Sequence, residues 1–190
     1  MKAVLHRREV VNALLKDRGE LLVVAGLGSA AWDITAAGDA PLSFPLWGAM
    51  GGAAMLGLGL ALAQPRRRVL VVTGDGEMLM GMGSIATIGV KQPPNLVLVV
   101  LDNGHYGETG MQASHTRSGI DLVGIAAACR FATALSIADM AELELARRHV
   151  HETRGPVLMN ARIGTSDVPR VLPGRDGHAN RLRFMQALGA

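Results

Sequence analysis

The amino-acid sequence predicts an α/β fold, a single doubly wound and mostly parallel sheet flanked by helices, and three observations carry that reading. Residues 21–25, 69–73, 96–101 and 157–161 are short runs that are apolar but for Thr73 and Asn160. Strands buried on both faces read this way, whereas strands with one wet face alternate. Helical stretches lie between them, the βαβ order that builds a parallel sheet. The length of 190 residues suits a single domain, 1–190, with a substantial core and no internal repeat.

A helix is expected over residues 10–16, stopped near Gly19, a residue that commonly ends helices. The strand at 21–25 follows. Residues 46–63 form the longest apolar stretch; its five glycines, and the Gln64-Pro65-Arg66 that comes next, favour a helix over 48–63 with close neighbours rather than a membrane span. Helices over 78–90, 122–128 and 137–149 separate the later strands, with a weaker strand at 131–134. Gly155-Pro156 precedes the last strand. Residues 165–177, with two prolines and two glycines, read as a linker-like return, and a helix over 180–188 closes the chain.

Composition removes several functions. Hydrophobic residues at 49% and charged residues at 18% exclude disorder. Aromatic residues are only 3%, too few to stack bases, and the charge of +3 has no basic face behind it beyond Arg66-Arg67-Arg68. No nucleic-acid partner is expected. Cys129, the one cysteine, excludes a disulfide framework and cysteine-based zinc or iron–sulfur sites, and reads as a small core residue. Residues 1–9 are too charged for a signal peptide, so a cytoplasmic location without membrane contact is expected.

Ligands of such sheets sit beyond the carboxyl ends of the strands. Gly26-Leu27-Gly28-Ser29-Ala30-Ala31 fits a dinucleotide fingerprint in form, but no strand ending in a ribose-binding acid follows it, and a tight strand-to-helix turn explains the glycines. Gly74-Asp75-Gly76 and Asp102-Asn103-Gly104 end two strands one helix apart. Glycines beside Asp75 let backbone approach a phosphate, and a carboxylate with an amide oxygen suits a small hard cation that keeps water and phosphate ligands. His149, His151 and Glu152 have metal-like spacing, yet a helix end with favourable charge accounts for them.

Gly74-Asp75-Gly76, 26 residues and then Asn103 closely resembles the thiamine diphosphate motif of the thiamine-dependent decarboxylase and acetolactate synthase superfamily. Leu46-Trp47-Gly48-Ala49-Met50-Gly51 resembles that family's aminopyrimidine-gripping segment. The loop from Asp102 to Gln112 and the pair Arg183-Phe184 resemble the sulfopyruvate and phosphonopyruvate decarboxylase branch. The resemblance covers nearly the whole chain as a diphosphate-binding domain. It implies thiamine diphosphate and Mg2+ as cofactors. Asp75, the Asn103 side chain and the His105 backbone carbonyl are then the implied metal ligands. Gly74, Gly76, Glu77 and Tyr106 join the cofactor-binding set, the Gly76 and Glu77 amides on the diphosphate. The Gly48 carbonyl is implied to hold the 4′-amino group, and Met50 to wedge between the two rings.

The same resemblance implies half an enzyme. The family's activating glutamate lies on a pyrimidine-binding domain, for which a 190-residue chain with its motif at residue 74 leaves no room. A β subunit is therefore expected, working on a small 2-oxo acid in an oligomer with an α subunit that carries the glutamate. Some decarboxylases of the superfamily have a proton-handling glutamate where Thr109 stands; Glu108, one place earlier, and His115 are the catalytic candidates here. The motif leaves open a 2-oxo acid oxidoreductase subunit or an acetolactate synthase-like ligase; a nucleotide-binding Rossmann-like module is the non-enzymatic alternative.

Overall fold

In the computed structural model, which describes residues 5–166 and 168–189, the alternation of strands and helices takes physical form. The strands are β1 (Leu22–Ala25), β2 (Ser43–Pro45), β3 (Val69–Gly74), β4 (Leu96–Asp102), β5 (His105–Tyr106), β6 (Gln112–Ala113), β7 (Thr133–Ile137) and β8 (Val157–Arg162). Six of them form one sheet in the order β2-β1-β3-β4-β8-β7, with every pairing parallel. The remaining two, β5 and β6, make a small antiparallel hairpin.

The helices are α1 (Arg7–Leu15), α2 (Ser29–Ala36), α3 (Ala53–Ala63), α4 (Asp75–Met80), α5 (Gly83–Lys91), α6 (Leu122–Ala128), α7 (Met140–His151) and α8 (Gly177–Leu188). Successive side chains of a strand point to opposite faces, which makes two cores from one sheet. Val23, Leu70, Val72 and Val99 pack with α1, α2 and α7 on one face. Leu22, Val71, Leu98 and Val100 pack with α3, α4, α5 and α6 on the other. Both faces being covered explains why the central strands are apolar throughout.

Several boundaries differ from expectation, each for a local reason. The helix expected over 48–63 begins only at Ala53, because residues 48–52 form a turn in which Ala49 and Gly51 have φ of 55° and 90°. Its glycines do admit close neighbours: a Cβ on Gly57 would lie 2.2 Å from Val71 Cγ2. The helix expected over 78–90 is two helices. They break at Gly81, where a Cβ would lie 2.1 Å from the Gly51 carbonyl oxygen, so this break is where the 48–52 turn docks. The weak strand is real but runs from Thr133 to Ile137, in register with β8, which delays α7 until Asp139 caps it. Asp176 likewise caps α8 at its start, earlier than expected.

α2 was expected only as the helix side of the turn after β1, without bounds, and β2 was not expected as an element. β2 is three residues ending in proline, tied to the rest by α8 through the edge-to-face pair Phe44–Phe184, 5.6 Å between centroids. Among the described residues, no helix is long and apolar enough to cross a membrane.

Candidate functional site

From β1 the chain turns to one side of the sheet, and from β3 to the other. The crevice at such a reversal is where open α/β sheets bind ligands. A cleft of about 460 Å3 opens there, lined among others by Met50, Asp75, Gly76, Asn103 and Tyr106. The register Gly74↔Leu101 between β3 and β4 carries Asp75 alongside Asp102, so both loops leave the sheet together.

Asp75 opens α4 and is buried. Its Oδ2 accepts a short hydrogen bond from the Ser114 hydroxyl and lies 3.2 Å from the Thr116 hydroxyl. Ser114 and Thr116 are 2.9 Å apart. Thr116 also reaches Asp102 Oδ1 at the shorter distance of 2.8 Å. Asp102 is saturated: it accepts from the Gly104 amide at 3.0 Å and Asn160 Nδ2 at 2.9 Å, and pairs with Arg162 at 3.1 Å. Burial pushes the Asp75 carboxyl above the usual carboxylate range; the Ser114 hydrogen bond pulls it back in part, and the Asp102 charge adds to the rise.

Asn103 and His105 form a compact turn. The His105 amide donates to Asn103 Oδ1 at 2.8 Å, and the His105 ring Nδ1 sits 2.8 Å from the Asn103 carbonyl. The hairpin then lays Tyr106 on Gly76, where a Cβ would come within 2.6 Å of the ring. That contact requires glycine. Glu77 turns its side chain inward, accepting from Thr73 at 2.7 Å and from the Leu27 amide at 2.9 Å, while its Oε1 stays buried and unpartnered. Glu77 thus ties the β1 loop to α4.

The cleft gathers Met50, Gly74, Asp75, Gly76, Glu77 and Asn103, with His105, Tyr106 and Glu108, along its walls. Glu108 is exposed and reaches over Gly28, whose Cβ would lie 2.7 Å from its Oε1. His115 and Gly48 are not among the lining residues. The inward positions around His115 belong to buried Ser114 and Thr116, which turn it outward to meet Tyr106 edge-on at 6.5 Å. At another part of the cleft the guanidiniums of Arg7 and Arg170 lie 6.0 Å and 4.6 Å from the Trp32 ring, an arrangement the sequence did not announce.

Asp102, Ser114 and Thr116 were likewise missed as site residues. Asp102 reads only as part of the Asp102-Asn103-Gly104 strand end, and the sole sequence signal for Ser114 and Thr116 is two small hydroxyl residues two positions apart after the glycine-rich loop. Among the described residues, no three His, Cys, Asp or Glu side chains group as a metal site. The oxygen set here is a different one: one carboxylate, one amide and backbone.

Comparisons with known proteins bear on the fold and the family. The chain is 35% identical over 168 residues to sulfopyruvate decarboxylase subunit beta of Methanothermobacter thermautotrophicus, with 87% of each chain covered. It is 38% identical over 156 residues to phosphonopyruvate decarboxylase of Streptomyces viridochromogenes, covering 80% of this chain but 39% of that one. The fold is shared with the crystal structure of an enzyme from Mycobacterium smegmatis described as thiamin diphosphate-dependent: TM-score 0.73 at 24% identity, over 86% of this chain and 32% of that one. Residues 31–161, which hold β3, β4 and the loops that follow them, match the thiamine pyrophosphate enzyme C-terminal TPP binding domain, and the chain belongs to that family.

Proposed function

We propose that this chain is the β subunit of a thiamine diphosphate-dependent, non-oxidative 2-oxo acid decarboxylase of the sulfopyruvate or phosphonopyruvate kind. In this reading residues 1–190 act as one diphosphate-binding domain beside a pyrimidine-domain α subunit. The observation that carries it is that Asp75 and Asn103, from two different strand ends, line one cleft at the sheet's reversal. The names of the relatives support the reaction class, and the word "subunit" in the archaeal one supports a partner.

The residues fit the cofactor. An all-oxygen set with one anionic member suits Mg2+, which holds few protein ligands and keeps water and phosphate oxygens. Asp75 Oδ1 accepts no side-chain hydrogen bond among the described residues, which leaves it for a metal. Asn103 Oδ1 and the His105 carbonyl complete the proposed protein ligands. The first-turn amides of Gly76 and Glu77 have no partner within α4, as at any helix start, and with Gly74 and Tyr106 they take the diphosphate. Met50, on its docked turn, would wedge between the cofactor's rings, and the Gly48 carbonyl, two residues earlier on that turn though outside the cleft lining, would hold the aminopyrimidine.

When bound, thiamine diphosphate supplies the electron sink on which a 2-oxo acid loses carbon dioxide. The chain's own work would be to neutralise and orient the diphosphate, pack Met50 against the rings and handle a proton. Glu108 receives that last role because it reaches into the cleft and His115 does not. Glu77 is not given the part of activating the cofactor: through Oε2 it is fixed by Thr73 and the Leu27 amide, which hold the buried side chain between the β1 loop and α4. The activating glutamate is therefore assigned to the α subunit, and a chain with one cysteine and no disulfide framework suits the cytoplasm.

The test is turnover of sulfopyruvate and phosphonopyruvate with Mg2+ and thiamine diphosphate, with and without the α subunit. Carbon dioxide release that needs both chains is expected. Absence of turnover on either acid by the assembled pair overturns the reading.

A further inference from the structure

The cleft draws on both sides of the sheet. Asp75 opens α4, which packs on one face, whereas Arg7 and Ser29 open α1 and α2, which pack on the other. Arg7 and Arg170 are the two Lys or Arg side chains among the described residues of its lining. Thr165 and Ser166, just beyond β8, bring hydroxyls to the same lining. Guanidiniums and hydroxyls together suit a tetrahedral oxyanion, which takes several donors at once.

The charge at this corner is not balanced from within. Arg7 is buried, and its Nη1 donates to Asp33 Oδ2 at 2.6 Å and to the Ser29 carbonyl at 3.2 Å. Arg8 Nε donates to the other Asp33 oxygen at 3.1 Å, so two guanidiniums share one buried carboxylate and one positive charge is left over. Arg170 adds a second. It is exposed, lies 4.6 Å from the centre of the Trp32 ring, and forms no ion pair among the described residues. The buried indole is a flat seat that orients a guanidinium without neutralising it. Arg8 Nη2 also donates to the Pro169 carbonyl at 2.7 Å, which moors the chain one residue before Arg170.

Two oxyanions enter the cleft in the decarboxylase reading: the cofactor's end phosphate, and the sulfonate or phosphonate of the substrate. Glu108 favours the second. Its carboxylate lies against Gly28, next to the Ser29 carbonyl that Arg7 holds, and it has been given the proton step. In sulfopyruvate and phosphonopyruvate one carbon separates the second anion from the reacting carbonyl carbon. The grip on that anion and the group that handles the proton therefore belong side by side. With Glu108 ionised the corner still has three guanidiniums, those of Arg7, Arg8 and Arg170, against two carboxylates. We propose that Arg170, seated on Trp32 beside the Arg7–Asp33–Arg8 group, binds the sulfonate or phosphonate of a dianionic 2-oxo acid and so sets the substrate class of the cleft. The proposal rests on the decarboxylase reading and adds to it the residue that tells such acids from pyruvate.

The experiment is steady-state kinetics of the assembled pair on phosphonopyruvate and sulfopyruvate, with calorimetry of thiamine diphosphate binding in Mg2+ on the same samples. Arg170→Gln still covers the Trp32 ring but carries no charge. Its KM for both acids is expected to rise about tenfold or more, the share of one charged hydrogen bond, with kcat nearly unchanged and cofactor affinity kept. Arg170→Lys restores the charge without the planar fork, and its KM is expected to fall between the two. Arg170 is exposed, so each variant is expected to melt as the parent does.

A KM that does not move in Arg170→Gln, or one that Arg170→Lys raises as far, overturns the proposal and leaves the decarboxylase reading intact. Weakened thiamine diphosphate binding in Arg170→Gln, whatever the KM, assigns the corner to the cofactor's phosphate and overturns it too. A parent pair that turns over neither acid overturns the decarboxylase reading, and the proposal falls with it.

Discussion

Asp75 sits in tension with its surroundings. It is buried beside a second buried carboxylate, and burial raises its pKa. Over the window between the unfolded and folded values, the folded chain holds a proton that the unfolded chain has lost. Stability therefore falls as pH rises through the folded value, and the ionised group is a net cost above it. Asp75→Asn is expected to melt higher than the parent at pH 7 in chelator, with the gap closing below about pH 4, where the unfolded carboxyl also binds its proton. Adding Mg2+ and pyrophosphate reverses the order, since only the parent has the anionic ligand. A variant that melts lower at pH 7 without metal contradicts this account. Asp75 and Asn103 were legible in the sequence because both follow apolar strands and both sit beside glycine. Ser114 and Thr116 were not, because no spacing rule reveals a hydroxyl that meets a carboxylate 39 or 41 residues away.

Among elements, the turn at residues 48–52 and the break between α4 and α5 act as one unit. Gly51 and Gly81 touch backbone to backbone, and this contact sets where Met50 stands. Gly81→Ala is expected to displace the turn, lowering cofactor affinity in the assembled enzyme and shifting the emission of nearby Trp47. Met50 itself is 39% exposed, so Met50→Ala is expected to cost little stability while sharply reducing turnover. Leu98→Ala, in the core, is expected to cost about 2–5 kcal/mol and to affect turnover only through folding. Equal stability losses for the two would make Met50 a plain packing residue. The core strands were legible because burial on both faces leaves an unbroken apolar run. The helix break was not: Gly81 looks like any tolerated helix glycine until Gly51, thirty residues earlier, arrives beside it. β2 escaped for a related reason, since three residues ending in proline gain their strand character only from pairing with β1.

At the scale of the molecule, the proposed reading gives the sheet one half of a cofactor cleft, and apolar side chains near that cleft are uncovered. Trp47, Met50, Met80 and Met82 are exposed on the side where the 48–52 turn meets α4. On the proposed reading this surface meets the α subunit, so the isolated chain is expected to self-associate in sedimentation and to exchange that contact for the α subunit when the two are coexpressed. The doubly wound architecture was legible from order alone, strand and helix in turn. The side on which the chain reverses was not, because strand order depends on how the crossovers pack. The claim that unites these scales is that Asp75 and Asn103 hold a metal on which thiamine diphosphate binding depends. The most direct measurement is calorimetry of the assembled enzyme with thiamine diphosphate, with Mg2+ and with chelator, for the parent, Asp75→Ala and Asn103→Ala. The account predicts binding that requires Mg2+, abolished in Asp75→Ala and strongly weakened in Asn103→Ala. Unchanged affinity in Asp75→Ala, or affinity indifferent to chelator, would contradict it.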